Sequence, residues 1–120
     1  MSNSINLSQK FAKFSEHWPP KVIAEMNDYQ FKLVKFQGDF VWHDHPETDE
    51  VFLVIEDAME IEFRDRTVQV AAGELFDIPK GIEHITRAKD ECKAMLIEPR
   101  GVINTGAVTN ELTAANDEWI

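Results

Sequence analysis

Three of the four histidines stand in two short stretches, Trp42-His43-Asp44-His45-Pro46-Glu47-Thr48-Asp49-Glu50 and Pro79-Lys80-Gly81-Ile82-Glu83-His84. In an extended strand alternate side chains share a face, so His43 and His45 point the same way, about 7 Å apart along the backbone. Two imidazoles at that spacing can share one ion. Pro46 starts a turn, after which Glu50 can return on the next strand with a carboxylate for the same ion. A hairpin alone cannot surround a metal, so a fourth ligand must come from a distant strand. The Pro-x-Gly-x-x-His turn delivers His84 to the start of one. An isolated His-x-His pair is more often two ordinary histidines, and the second block is what favours a site. His17, beside Trp18, reads as a peripheral histidine packed on an aromatic.

The elements that must position these residues follow from apolar periodicity. Leu7, Phe11 and Phe14 recur at helical spacing, with Ser4, Asn6 or Ser8 as caps, which predicts a short helix near Leu7–Ser15 that ends before Pro19-Pro20. From Lys21 the period changes to two. Val22–Met26 and Phe31–Gln37 flank an Asn27-Asp28 turn and read as a hairpin. Phe40–His45 is the expected ligand strand, with Phe40 and Trp42 on the face opposite the histidines. Glu50–Glu56, Met59–Arg64, Thr67–Ala71, Glu74–Ile78, His84–Ala88 and Cys92–Glu98 follow, with a charged turn expected at Lys89-Asp90-Glu91. Short strands at roughly ten-residue intervals indicate an all-β antiparallel sandwich or barrel. The divisions are residues 1–20 for helix and linker, 21–100 for the barrel and 101–120 for a tail. Its terminal Trp119-Ile120 is expected to dock on the domain or on a neighbour.

Together the two blocks resemble the cupin family. Its first motif, G-x5-H-x-H-x3–4-E-x6-G, is met by Gly38, His43, His45 and Glu50, and its second, G-x5-P-x-G-x2-H-x3-N, by Gly73, Pro79, Gly81 and His84. Gly38 lies one residue closer to His43 than the pattern asks, Asp57 replaces the closing Gly, and Ala88 replaces the closing Asn. Asp57 tolerates the left-handed backbone that such a turn requires. The resemblance implies a single antiparallel double-stranded β-helix (jelly-roll) barrel with a short N-terminal helix. It also implies one metal held by His43, His45, Glu50 and His84.

Three imidazoles and one carboxylate suit a divalent Fe, Mn, Ni, Co or Zn ion, with adjacent positions left for a ligand. A net charge of +1 at such a site favours an anionic or enolisable oxygen. Strand parity places Val41, Phe52, Val54, Ile82, Thr86 and Ala88 on the ligands' side, and the mid-chain strand adds Met59, Ile61 and Phe63, giving an apolar sleeve. The same residues would serve equally well as a plain barrel core. Asp44, Glu47 and Asp49 read as a solvated rim. No inward cluster of Arg or Lys is evident to hold a sugar phosphate. The resulting function is a metal-dependent, dioxygenase-like enzyme acting on a small oxygen-bearing molecule. The alternative is a non-catalytic metal- or small-molecule-binding module.

Composition bounds the partners. Twelve basic against twenty-two acidic residues give a net charge of −10, which speaks against nucleic acid and anionic membranes. At 120 residues the chain is one domain. A single Cys92 forms no internal disulfide, and no stretch has the length and apolarity of a signal peptide or a span, so the expected compartment is the cytoplasm. In Glu50–Glu56 both faces are apolar, since Val51, Leu53 and Ile55 alternate with Phe52 and Val54. Such a strand needs cover on its outer side. A homodimer is expected to supply it, the alternative being cover by the N-terminal helix and the tail in a monomer.

Overall fold

The alternation of apolar and polar residues becomes seven strands in the computed structural model, which describes residues 3–106 and 111–120. They are β1 (Lys21–Met26), β2 (Tyr29–Asp39), β3 (Glu50–Glu56), β4 (Ala58–Phe63), β5 (Thr67–Ala71), β6 (Leu75–Ile78) and β7 (His84–Pro99), preceded by α1 (Leu7–Phe11). All pairings between them are antiparallel, in the order β1-β2-β7-β3-β6, with β4 joining β5 to the first part of β7.

The long β7 closes the barrel. Its opening residues pair with β4, from Phe63↔His84 to Glu60↔Arg87, and its later ones with β3, from Val54↔Ala94 to Val51↔Ile97. The charged triplet Lys89–Glu91 is not the turn its composition predicts. β7 runs straight through it, and the irregularity falls in the β2 register, which moves from Phe36↔Cys92 to Gly38↔Ala88. That two-residue slip preserves parity, so Thr86 and Ala88 and then Cys92, Ala94 and Leu96 all face inward and are buried. Gly38 sits at φ +82, a left-handed conformation that suits it to the break. Asp57 turns at φ 65 between β3 and β4, as its tolerance for that region leads one to expect.

The core fills from the inner faces of β2, β3 and β4, with Val34, Phe36, Phe52, Val54, Met59, Ile61 and Phe63 buried together. Each such side chain contributes about 1.5–3 kcal/mol. The helix is shorter than its periodicity predicts. Asn6 caps it by accepting from the Gln9 amide at 2.9 Å, and it ends at Phe11 rather than Ser15. Five residues are too few to hold a helix alone. Phe11 and Phe14 anchor the segment on Ile23 and Leu33, joined by Leu7, Ile55, Met95 and Ile120.

The tail docks at the edge of β1. The Val22 amide donates to Glu118 at 2.7 Å and the Ile120 amide to the Val22 carbonyl at 3.2 Å. This covers an otherwise open strand edge. Ile120 packs on the helix cluster, whereas Trp119 stays 48% exposed. Among the described residues, no helix is long and apolar enough to cross a membrane.

Candidate metal centre

His43, Glu50 and His84 are brought together inside the barrel by three different segments, and their ligand atoms all lie within 4.8 Å of one another. Glu50 opens β3 and faces inward beside Phe52. His84 opens β7. His43 reaches them from an irregular segment, not from the regular strand expected over Phe40–His45. That segment meets β7 through the Phe40 amide, which donates to the Thr86 carbonyl at 2.9 Å, and through the His43↔His84 bridge, with amide-to-carbonyl distances of 3.0 and 2.9 Å. Farther along, the Gly81 amide donates to the His45 carbonyl at 2.9 Å, and the Lys80 amide to Asp49 Oδ1 at 2.9 Å. The two motif turns are therefore hydrogen-bonded to each other.

His43 Nδ1 lies 2.8 Å from the Val41 carbonyl and His84 Nδ1 2.8 Å from the Ile82 carbonyl. Each pairing makes Nδ1 the donor and leaves the Nε2 lone pair free. His45 lies outside the closest trio, but its Nε2 is 3.1 Å from Glu50 Oε2, and His84 Nε2 is 3.4 Å from Glu50 Oε1. Neither contact is aligned as a hydrogen bond, so His45 Nε2, His84 Nε2 and Glu50 Oε1 are buried polar atoms without partners. A fully buried donor set of this kind costs folding energy unless something satisfies it. Nitrogen and carboxylate donors of this type fit a divalent transition ion.

Burial, followed by the neighbouring His84, depresses the His43 pKa to about 4, so this imidazole is neutral near pH 7. Burial also works to lower His45, but the Glu50 carboxylate outweighs it and raises the pKa. For Glu50, burial pushes upward, yet the contacts with His45 and His84 hold the carboxyl far below its usual range.

A narrow cavity of about 30 Å³ lies against His43 and Glu50. Of the predicted sleeve, Phe52 and Thr86 line it. Val54, Met59, Ile61 and Phe63 face inward as parity demands but belong to the packed core. Val41 is half-buried and contributes its carbonyl, while Ile82 is 43% exposed and does not face inward. Because residues 40–45 are irregular, strand parity fails there. Phe40 is not on the opposite face but lines the cavity, edge-on to His43 with ring centroids 5.3 Å apart. Trp42 lies under the Arg64 guanidinium, 3.7 Å from its ring centroid. His17 is peripheral, but its partner is Glu91 at 2.7 Å rather than an aromatic. Cys92 is fully buried, and that burial pushes its thiol up to about 12.

Four residues near the site escaped the sequence reading. Trp18 and Asn104 line the cavity from connecting segments with no periodicity to reveal them. Lys32 and Glu98 form a buried ion pair at 2.9 Å. Their even-numbered parity with Val34 and Leu96 was the available signal, masked by the expectation that charged residues face water. Burial and then the charge of Glu50 push Glu98 up to about 8, against the opposing pull of Lys32.

Residues 32–108 match the family model described as a cupin domain. The chain is 60% identical to a cupin-2 domain containing protein from Shewanella frigidimarina NCIMB 400 in its crystal structure, covering 80% of this chain and 94% of that one, with a TM-score of 0.79. It is 35% identical to protein NMB1881 from Neisseria meningitidis, covering 81% of this chain and 99% of that one, with a TM-score of 0.74. An uncharacterised protein of Bacillus subtilis (strain 168), YdbB, shares 39% identity over 83 residues, 68% of this chain and 67% of the relative.

Proposed function

The chain belongs to the cupin family, and from that premise we propose that it is a metal-dependent enzyme acting on a small oxygen-bearing molecule, with dioxygenase-like chemistry. The carrying observation is the set of buried, partnerless donor atoms on His45, Glu50 and His84, with His43 alongside. His43, His45, Glu50 and His84 would hold the ion, which as Fe, Mn, Ni, Co or Zn supplies Lewis acidity and, for the redox-active members, a route for O₂ chemistry. The polypeptide contributes an apolar wall of Val34, Phe36, Phe40, Phe52 and Leu96 that keeps bulk water away, with Thr86 and Asn104 as polar groups for orientation.

Elemental analysis of protein purified without added metal tests the ion, and stoichiometric transition metal is expected. Oxygen uptake by the iron-loaded protein with catechols and enolisable ketones tests the reaction. Stoichiometric metal with no uptake across that panel would favour a non-catalytic binding module. That second reading is supported by the lack, among the described residues, of any acid or base lining the cavity apart from the proposed ligands.

The same reading includes a homodimer. The termini cover Ile55 and Met95, but Leu53 pairs with Leu75, which is 57% exposed, and Val51 pairs with Ile97. A second copy seated on this outer apolar face would bury it. Light scattering at micromolar concentration should give twice 13.8 kDa, and the monomer mass would refute the dimer.

A further inference from the structure

The cavity at the centre has room for a water or two, whereas a cavity that takes up benzene measures about 150 Å³. A ring-bearing ligand therefore occupies this cavity only if a wall moves. Val34 and Phe36 stand on β2, Phe52 on β3, and Thr86 and Leu96 on β7, all held by strand ladders. The remaining walls come from irregular backbone, and Trp18 differs from the others. Its φ of 85 lies in the left-handed region that L side chains rarely adopt. Its amide is fixed to the Lys35 carbonyl at 2.8 Å. Its ring stacks on Phe36 and Phe40, with centroids 5.1 and 4.7 Å away. The backbone is thus anchored, and the half-buried indole is held by stacking and by packing on the core.

On the far side of Trp18 lies an open cleft of about 260 Å³, bordered by Glu16, Glu111, Leu112, Ala114 and Glu118. Asn104, which faces the inner cavity, donates to the Leu112 carbonyl and accepts from the Ala114 amide, both at 2.9 Å. Trp18 and Asn104 therefore partition the cleft from the cavity. The cleft is negative: Glu16, Glu111 and Glu118 border it, against the charge of the buried Lys21, which is bonded to Glu16 and Glu118. His17 is already paired with Glu91.

We propose that this cleft is the entrance to the site and that Trp18 is its specificity-determining wall: the indole tilts without leaving its stack on Phe36 and Phe40, admitting a neutral or cationic single-ring molecule and excluding a two-ring one. Anions are repelled at the cleft, so an oxygen that binds the ion as an anion arrives protonated. The capture of that oxygen rests on the metal reading above, while the entrance and its wall are features of the polypeptide alone.

Calorimetric titration of the cobalt(II)-loaded protein with catechol, 2,3-dihydroxynaphthalene and 3,4-dihydroxybenzoate tests the proposal. Wild type should bind catechol at least tenfold more tightly than either of the others. Trp18→Ala should gain at least tenfold for the two-ring diol. Glu16→Gln with Glu111→Gln should bring the carboxylate at least threefold closer to catechol. Trp18→Phe, which keeps an aromatic on the stack, covers the case in which the alanine variant fails to fold, and it should gain about threefold for the larger diol. An unchanged ligand order in the Trp18 variants, or 3,4-dihydroxybenzoate binding to wild type as tightly as catechol, overturns the proposal. If cobalt gives no visible bands, the metal reading fails separately. The metal-free Trp18→Ala protein should still take up indole where wild type does not, and its failure to do so overturns the wall.

Discussion

Replacing Glu98 by Gln should stabilise the metal-free protein, and increasingly so as pH rises. Glu98 is buried on the inner wall, where Lys32 Nζ donates to its Oε1 at 2.9 Å. Its Oε2 has no partner, and neither has Oε1 of Gln30, the residue paired with it across β2 and β7. Two facing acceptors without a donor are satisfied if the carboxyl carries a proton. Burial and the charge of Glu50 favour that state, raising the pKa to about 8 from about 4.3 in the unfolded chain. A raised acid contributes stability that is complete below the unfolded pKa and is lost as pH climbs through the folded one. At pH 7 the accumulated loss is about 3–4 kcal/mol, at 1.36 kcal/mol per pH unit, and it levels off above pH 8. The introduced amide pays none of it, can still accept from Lys32, and can donate to Gln30. Urea unfolding followed by circular dichroism, in chelator at pH 5, 6, 7 and 8, should show a gain that grows by about 3–4 kcal/mol between pH 5 and pH 8. That is roughly 10 °C in Tm for a chain of this size. The reasoning is refuted if Glu98→Gln instead lowers stability by about 3–5 kcal/mol with no growth toward pH 8. That result is what removing one partner of a buried charged pair costs.

His45→Ala should abolish stoichiometric metal while circular dichroism stays native, because the apolar core and not the ligand cluster holds the barrel. Gly106→Ala should weaken metal binding about 10–100-fold, as outer-shell changes do, measured by competition with a chromophoric chelator. A Cβ there would lie 2.0 Å from the Asp44 carbonyl oxygen and 3.6 Å from His45 Nδ1, at a φ of +63, so the backbone carrying His45 must shift. Acidification should cost the metal-free protein about 3 kcal/mol through His43. Its folded pKa of about 4 lies below the ordinary 6.5, so its contribution is whole above pH 6.5 and lost as pH falls toward 4. His45, shifted the other way, opposes this loss, and His45→Gln should steepen the acid transition seen in urea melts.

The parts legible in the sequence are those governed by local rules. Period-two alternation marks β4 because a half-buried strand must alternate, and Asp57 and Gly73 mark turns because few residues accept a positive φ. The convergence of His43, Glu50 and His84 was legible as well, since motif spacing encodes which strand ends carry the donors. Tertiary structure decided the rest. Whether Lys89–Glu91 turns or bulges depends on the register with β2, a non-local pairing that no local propensity carries. Phe40 lines the cavity and Ile82 leaves it because residues 40–45 are held by bridges to β7 and the Pro79–Gly81 turn, outside the regular ladder on which parity counting relies. The inward polar ends of Lys32 and Glu98 find each other only because the β2–β7 pairing brings together residues 66 apart in sequence. The indole of Trp18 becomes a wall of the site only once the folded barrel places Phe36 and Phe40 beneath it.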